Sequence, residues 1–297
     1  MVFVVIGAFL AGWLVSSLRP VDSRIPRSAD AYVLRFALPI LVFSKISQMA
    51  LDSSLIAPVV IAWIVMAGAM VIIIAVSRVM KWGHQTLGAL LLVGVLGNTS
   101  FLGLGMVEGL IGSRYLPAAI AYDQLGTFVA LATYGSFVAS RWGEGSFSLR
   151  AIVIRLMKFM PFIALLLAIP ARTLNISEDV YSALDAVGRT VGPVAMGSLG
   201  LRFSLRVNRS VFGAAVFGLT TKMLLLPIGV ILLALATNNA STIGWQSSII
   251  ESAMPPMVTA GVVAVGAGFD EDLVSFMVGI GTLCSFLSVP LIAMLLP

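Results

Sequence analysis

Charged residues are scarce in this chain: 10% of 297, where a soluble domain carries roughly a quarter. Together with 59% hydrophobic residues and a mean hydropathy of +1.06, that shortage excludes a soluble domain of this length and predicts an integral membrane protein. Cysteine is nearly absent, and the lone Cys284, set in an apolar run, excludes an intrachain disulfide. The one histidine, His84, is expected in a polar loop with no second ligand for a metal site, and both residues read as structural. A membrane enzyme would need a reactive constellation, and there is no His cluster, no paired Asp motif at metal spacing and no Ser/His arrangement. The acidic run Asp270-Glu271-Asp272 reads as a solvated turn, lacking the spacing and second copy of a prenyl-transferase metal site. A sensor would carry a soluble output domain, and no stretch is left over for one. No enzymatic activity, resident cofactor or metal is expected.

What the chain has instead is apolar runs of about 17 to 25 residues along its whole length, the pattern of membrane-spanning helices rather than of a barrel. Ten spans are predicted, at about 2–18, 31–50, 55–77, 86–108, 117–140, 151–170, 181–202, 210–236, 243–266 and 272–295. The first run begins at Val2 with no basic stretch before it and no small-residue cleavage site after it, so it is expected to be a span and not a signal peptide. After the odd-numbered spans lie Arg19, Arg24, Arg27, Arg78, Lys81, Arg141, Arg150, Arg202, Arg206 and Arg209; after the even-numbered ones lie Arg114 and Arg172. Positive loops stay in the cytoplasm, so both termini are expected on the other side of the inner (plasma) membrane. The net charge of +5 is then a topology signal, aided by attraction to anionic lipid, and calls for no nucleic acid.

The two halves resemble each other. Arg35-Phe-Ala-Leu-Pro39 followed by Ser44 has a counterpart in Arg189-Thr-Val-Gly-Pro193 followed by Ser198, at an offset of 154; Gly126-Thr127 matches Gly281-Thr282 at 155. Five spans per half place the halves, 1–142 and 151–297, in opposite orientation, the inverted repeat of many secondary transporters. Within the ninth span stands Glu251-Ser252-Ala253-Met254-Pro255-Pro256-Met257. Two adjacent prolines remove two backbone donors and clash with the preceding turn, so the helix must break. A break at that depth survives only where it is buried in protein or lines a watery cavity. A proline kink in an ordinary packed helix is the alternative. The repeat predicts a second break in the fourth span near Ser100, and Gly97-Asn98-Thr99-Ser100-Phe101-Leu102-Gly103-Leu104-Gly105 lies there, a stretch that Gly-rich helix packing would also explain.

Two half-helices starting near the bilayer centre direct free N–H groups and a partial charge of roughly +0.5 each into the gap between them, which makes an anion site. Its predicted lining is Asn98, Thr99 and Ser100 from one break and Ser252, Met254, Pro255, Pro256 and Thr259 from the other. A small carboxylate suits such a site better than a sugar, while the opposite, carbonyl-bearing ends would instead hold Na⁺. Ionisable groups inside spans are costly and normally have partners. Glu251 or Asp123 is the expected proton- or cation-coupling group, with Lys222 as its partner or as counter-charge to substrate; a static buried pair is the alternative. Arg35, Lys45, Asp185 and Arg189 are expected to be structural, with Lys45 snorkelling to the interface. Arg155 and Lys158 are expected at the cytoplasmic interface and Glu108 at the far end of the fourth span.

These motifs resemble the auxin efflux carrier family of membrane transporters, including bacterial members described as malonate or other organic-acid permeases. They are Ala37-Leu38-Pro39, Gly97 through Gly103, Pro193 through Gly200, Lys222 with Pro227, Met254-Pro255-Pro256 and Ser285 through Pro290. The resemblance implies ten helices in two inverted repeats, crossing of the fourth and ninth helices at the substrate site, elevator-like motion of a transport domain against a scaffold, and often a homodimer. It carries Asn98, Thr99, Pro255 and Pro256 over as crossover residues. Family members often have proline where this chain has Gly105, which leaves the fourth-helix break more flexible. The related bile acid:sodium symporters share the architecture, so a Na⁺-coupled carrier of that kind is the alternative function. The resemblance leaves the driving ion, H⁺ or Na⁺, open.

Overall fold

The computed structural model describes residues 2–22, 24–48, 55–144, 148–203 and 211–296, with only the backbone of Val2 and Arg155. Arg206 and Arg209, two of the loop cations, lie outside the described residues, as does the end of the second predicted span. Every predicted span is built of helices over what is described, with interruptions inside the fourth, sixth, seventh and ninth. The first is α1 (Val2–Leu18); the second runs through α2 (Arg24–Tyr32), a π-helical turn at Val33–Ala37 and α3 (Leu38–Ser47). Next come α4 (Ile56–Met80) and α5 (His84–Val93), then a π-helical turn at Thr99–Gly103 continued by α6 (Leu104–Leu110). The fifth stretch is α7 (Leu116–Ala121), a π-helical turn at Tyr122–Phe128 and α8 (Val129–Trp142).

The second half begins with α9 (Leu149–Lys158) and α10 (Met160–Ala171), followed by α11 (Glu178–Gly188) and α12 (Val191–Arg202). Then come α13 (Phe212–Thr220), a π-helical turn at Thr221–Leu225 and α14 (Leu226–Ala236). The last three are α15 (Ile243–Ser252), α16 (Val258–Gly266) and α17 (Glu271–Ala293). Among the described residues no strand occurs; one isolated β-bridge joins Gly97 to Pro256. Three stretches, Ile56–Met80, Phe212–Ala236 and Glu271–Ala293, are long and apolar enough to cross a bilayer as continuous helices.

The structure departs from the sequence reading at several points. The sixth predicted span is bent by 67° between α9 and α10. Pro161, at the start of α10, has no N–H to continue the ladder from α9. His84 opens α5 rather than sitting in a loop. The acidic run at Asp270 is no mere turn: the Asp270 carboxylate accepts the Leu273 N–H at 3.0 Å and caps α17, with Glu271 and Asp272 in its first turn, where the helix dipole favours negative charge. Lys45, expected to snorkel, has a partner within the chain: its ammonium meets Asp185 at 2.6 Å.

That ion pair has a counterpart. Ser44 donates to Asp185 Oδ1 at 2.7 Å while Lys45 holds Oδ2; Ser198 donates to Asp30 Oδ1 at 2.6 Å while Arg202 holds Oδ2 at 2.7 Å. Ser44 and Ser198 are the serines matched at the repeat offset, and each grips an aspartate carried by the other half. Packing follows the same exchange: α1 lies along α12, and α10 along α3. The first pair comes very close, since a Cβ on Gly12 would stand 2.4 Å from the Gly197 carbonyl oxygen and one on Gly200 2.1 Å from that of Phe9. Small residues allow this approach, and dispersion replaces the missing hydrophobic drive between helices in lipid.

Candidate functional site

Two interruptions face each other at the centre of the molecule. The prolines at 255 and 256 end α15 at Ser252, and α16 restarts at Val258. The earlier interruption covers Gly94–Asn98, a few residues before the predicted position at Ser100. Each repairs the other: the Asn98 N–H donates to the Pro255 carbonyl at 2.8 Å, and the Met257 N–H to the Leu96 carbonyl at 2.9 Å. In a solvent-free interior such exchange is what permits non-helical backbone at all. Side chains complete the repair. Tyr134 donates to the Leu91 carbonyl at 2.8 Å, near the end of α5, and Trp63 to the Leu125 carbonyl at 3.2 Å within a π-helical turn.

Three π-helical turns supply the polar groups: Thr99–Gly103 carries Thr99 and Ser100, Tyr122–Phe128 carries Asp123 and Gln124, and Thr221–Leu225 carries Lys222. A π-turn inserts an extra residue and re-aims its neighbours, and such turns concentrate at functional sites. Asp123 is fully buried and saturated with donors. Thr99 and Ser100 donate to its Oδ1 at 2.5 and 2.6 Å, and Gln124 Nε2 to its Oδ2 at 2.6 Å. Glu251 is equally buried, yet neither of its carboxylate oxygens accepts a hydrogen bond from the protein. It is packed on Gly103, where a Cβ would stand 2.1 Å from Oε2, and lies within electrostatic reach of Lys222, Asp123 and Tyr122. Lys222, 2% exposed, donates to the Ser252 carbonyl at 3.1 Å.

The predicted lining residues divide. Asn98, Ser100 and Thr259 line a cavity of about 60 Å³ whose walls include Phe101, Phe128, Phe159 and Met257. Phe128 and Phe159 stack there with centroids 3.7 Å apart. The buried Asn98 Nδ2 has no protein acceptor. Thr99 is turned away from this cavity onto Asp123. Ser252 does not offer its hydroxyl, which bonds back to the Ile249 carbonyl at 2.8 Å. Met254 is fully buried and packs by Gly97, while Pro256 packs against Gly281, so Pro255 and Pro256 contribute through backbone geometry. Gln124, Phe128 and Phe159 join the site without being singled out by the sequence; of these Gln124, a polar residue beside Asp123 in an apolar run, carries a visible signal. Among the described residues no three His, Cys, Asp or Glu side chains cluster at metal spacing.

The cavity lies between two helix starts, at Thr99 and Val258. The first turn of each has N–H groups without intrahelical acceptors. A second groove of about 390 Å³ between α12, α16 and α17 is lined mostly by valine, leucine and glycine, and none of the unpartnered buried polar atoms lines it.

Comparison with known proteins places the chain among membrane transporters. An uncharacterized transporter of Methanothermobacter thermautotrophicus is 27% identical over 294 residues, covering 95% of this chain and 93% of its own length. An uncharacterized transporter of Methanocaldococcus jannaschii is 30% identical over 181 residues, 58% of each chain. The sequence model of the family described as membrane transport protein matches residues 1–293, so the chain belongs to that family, the auxin efflux carrier family that its break motifs resemble.

Proposed function

We propose that this membrane transporter is a secondary active carrier of small organic anions, carboxylates foremost, working by alternating access at its paired helix breaks. The observation that carries the reading is the cavity between the helix starts at Thr99 and Val258, where the unpartnered Asn98 amide and the Thr259 hydroxyl offer hydrogen bonds beside the first turns of the two helices, while the Ser100 hydroxyl is committed to Asp123. Donors gathered at two helix N-termini stabilise negative charge. The small volume suits a carboxylate-sized group, and the aromatic wall suits the short apolar part of such a substrate.

The wider arrangement supports ten spans in two inverted repeats, 1–142 and 151–297. Matched Ser–Asp–cation clasps and the reciprocal packing of α1 on α12 and of α10 on α3 are what such a repeat produces. In this reading α1–α3 with α10–α12 form the scaffold, and the helices carrying the breaks form the moving body. Glu251 is the coupling group in preference to Asp123, because Asp123 has its acceptors filled by Thr99, Ser100 and Gln124 while Glu251 has none filled. A buried carboxylate in that state is the one able to exchange a proton as the site opens to either side. Lys222, Asp123 and Tyr122 are the charged or titratable groups that act on it.

Thermal stabilisation of the purified protein by a panel of mono- and dicarboxylates tests the substrate class. A ligand at a hundredfold excess over its Kd adds about 2.7 kcal/mol of apparent stability. A response to small carboxylates that is weakened in Asn98→Ala supports the reading. Indifference to every anion removes it.

A further inference from the structure

The opposite end of the break raises a separate question. In a continuous helix the Ser252 carbonyl would accept from the N–H of residue 255 or 256, and both are proline. The neighbouring carbonyls are served: Ile249 and Ile250 accept from the Ala253 N–H at 3.3 and 3.1 Å, and Glu251 from that of Met254 at 3.2 Å. Ser252 is therefore the helix end that the proline pair orphans by construction. Its carbonyl points at a buried place that also feels the unpartnered Glu251 carboxylate. Carbonyls at a half-helix C-terminus are the groups with which a transporter holds a sodium ion.

Here that place is taken by the protein itself. Lys222 Nζ stands 3.1 Å from the Ser252 carbonyl oxygen. Gly97 makes the room, since a Cβ there would lie 3.0 Å from Nζ and 3.2 Å from Cε. The π-helical turn at Thr221–Leu225 delivers the side chain from the middle of an otherwise apolar stretch. An ammonium carries the charge of Na⁺, but it is tethered and never exchanges with solvent.

We propose that Lys222 is a built-in cation occupying the position at the Ser252 carbonyl where a sodium ion would bind, within electrostatic reach of Glu251, so that the carrier works without Na⁺. The proposal rests on the reading of the breaks as the transport site, but not on the identity of the anion. Two consequences follow from the chemistry. The wild-type protein has no use for Na⁺, and removing the ammonium while leaving its space opens a site for one.

The test compares apparent melting temperature in NaCl with that in N-methylglucamine chloride at equal ionic strength, for wild type, Lys222→Ala and Lys222→Met. Wild type is expected to melt at the same temperature in both salts. K222A is expected to gain a Na⁺-dependent rise that grows with concentration and saturates. K222M, which fills the same volume with an uncharged stem, is expected to be destabilised and insensitive to Na⁺. A saturable Na⁺ response in wild type overturns the proposal, and so does a folded K222A that ignores Na⁺. Recovery of K222A only when Na⁺ is present supports it. Failure to recover K222A in either salt overturns it, because the lysine would then do something that a sodium ion cannot replace. Carboxylate binding is read separately: a Na⁺-indifferent wild type that binds no carboxylate removes the substrate class and leaves the role of Lys222 standing.

Discussion

Asn98 donates its backbone N–H to the carbonyl of Pro255 at 2.8 Å, so a helix break in one half of the chain is closed by a break in the other. The bond is made by the main chain, which leaves the Asn98 side chain without a structural duty and with an unpartnered Nδ2. Asn98→Ala therefore keeps the bridge and loses the donor. The variant is expected to fold normally and to bind carboxylate about tenfold more weakly, close to the ~1 kcal/mol of one hydrogen bond. Comparing ligand-induced stabilisation of the two proteins checks this; equal affinity would return Asn98 to a packing role.

Glu251 and Asp123 are expected to respond differently to loss of charge. E251Q cannot exchange a proton, so uphill accumulation in proteoliposomes should disappear while counterflow exchange of substrate persists. A pH dependence identical to wild type in that variant would sink the coupling role.

For Asp123 the expectation concerns stability. D123A leaves Thr99, Ser100 and Gln124 facing no acceptor, at about 1–3 kcal/mol for each buried group left unsatisfied. D123N retains an oxygen for the two hydroxyls, and Gln124 has an unpartnered Oε1 that can turn to meet the new amide. A melting series in which D123N sits near wild type and D123A far below it is the expected order. The reverse order would show that the charge, and not the acceptor set, holds the three elements together.

Gly103→Ala drives a methyl group to 2.1 Å from Glu251 Oε2 and should cost about 1–3 kcal/mol through overpacking, with loss of transport. Gly68→Ala, with nothing within 4 Å of the new Cβ, serves as the control and should be neutral or gain up to about 1 kcal/mol from helix propensity. Melting curves and initial transport rates of the pair separate a packed site from a general intolerance of alanine.

The Lys45–Asp185 clasp is a weaker contributor. Its side chains are 16% and 22% exposed, so a double-mutant cycle with K45A and D185A should give a coupling of about 1 kcal/mol or less. A coupling of several kcal/mol would mark the clasp as a principal lock of the scaffold.

Much of this was legible along the chain, and the reasons are local. Apolar run length located the helical stretches because a helix in lipid must satisfy its own backbone, and the Pro255–Pro256 pair announced its break because proline has no N–H to give. The repeat offset led from that break to Gly97–Gly105. The same local reasoning marked Asp123, Lys222 and Glu251 as costly inside apolar surroundings, and so as meaningful.

What the sequence could not supply was who meets whom. Asp123 and Glu251 are both isolated carboxylates in apolar runs, and only the fold gives one three donors and the other none. Lys45 reads as a snorkelling lysine until α11 brings Asp185 to it. Hydrogen bonds and ion pairs reach only a few ångströms, so partners separated by a hundred residues are chosen by packing. The sequence by itself determined that this is a helical membrane protein with broken helices and buried charge; the tertiary structure decided which orphaned group each charge would serve.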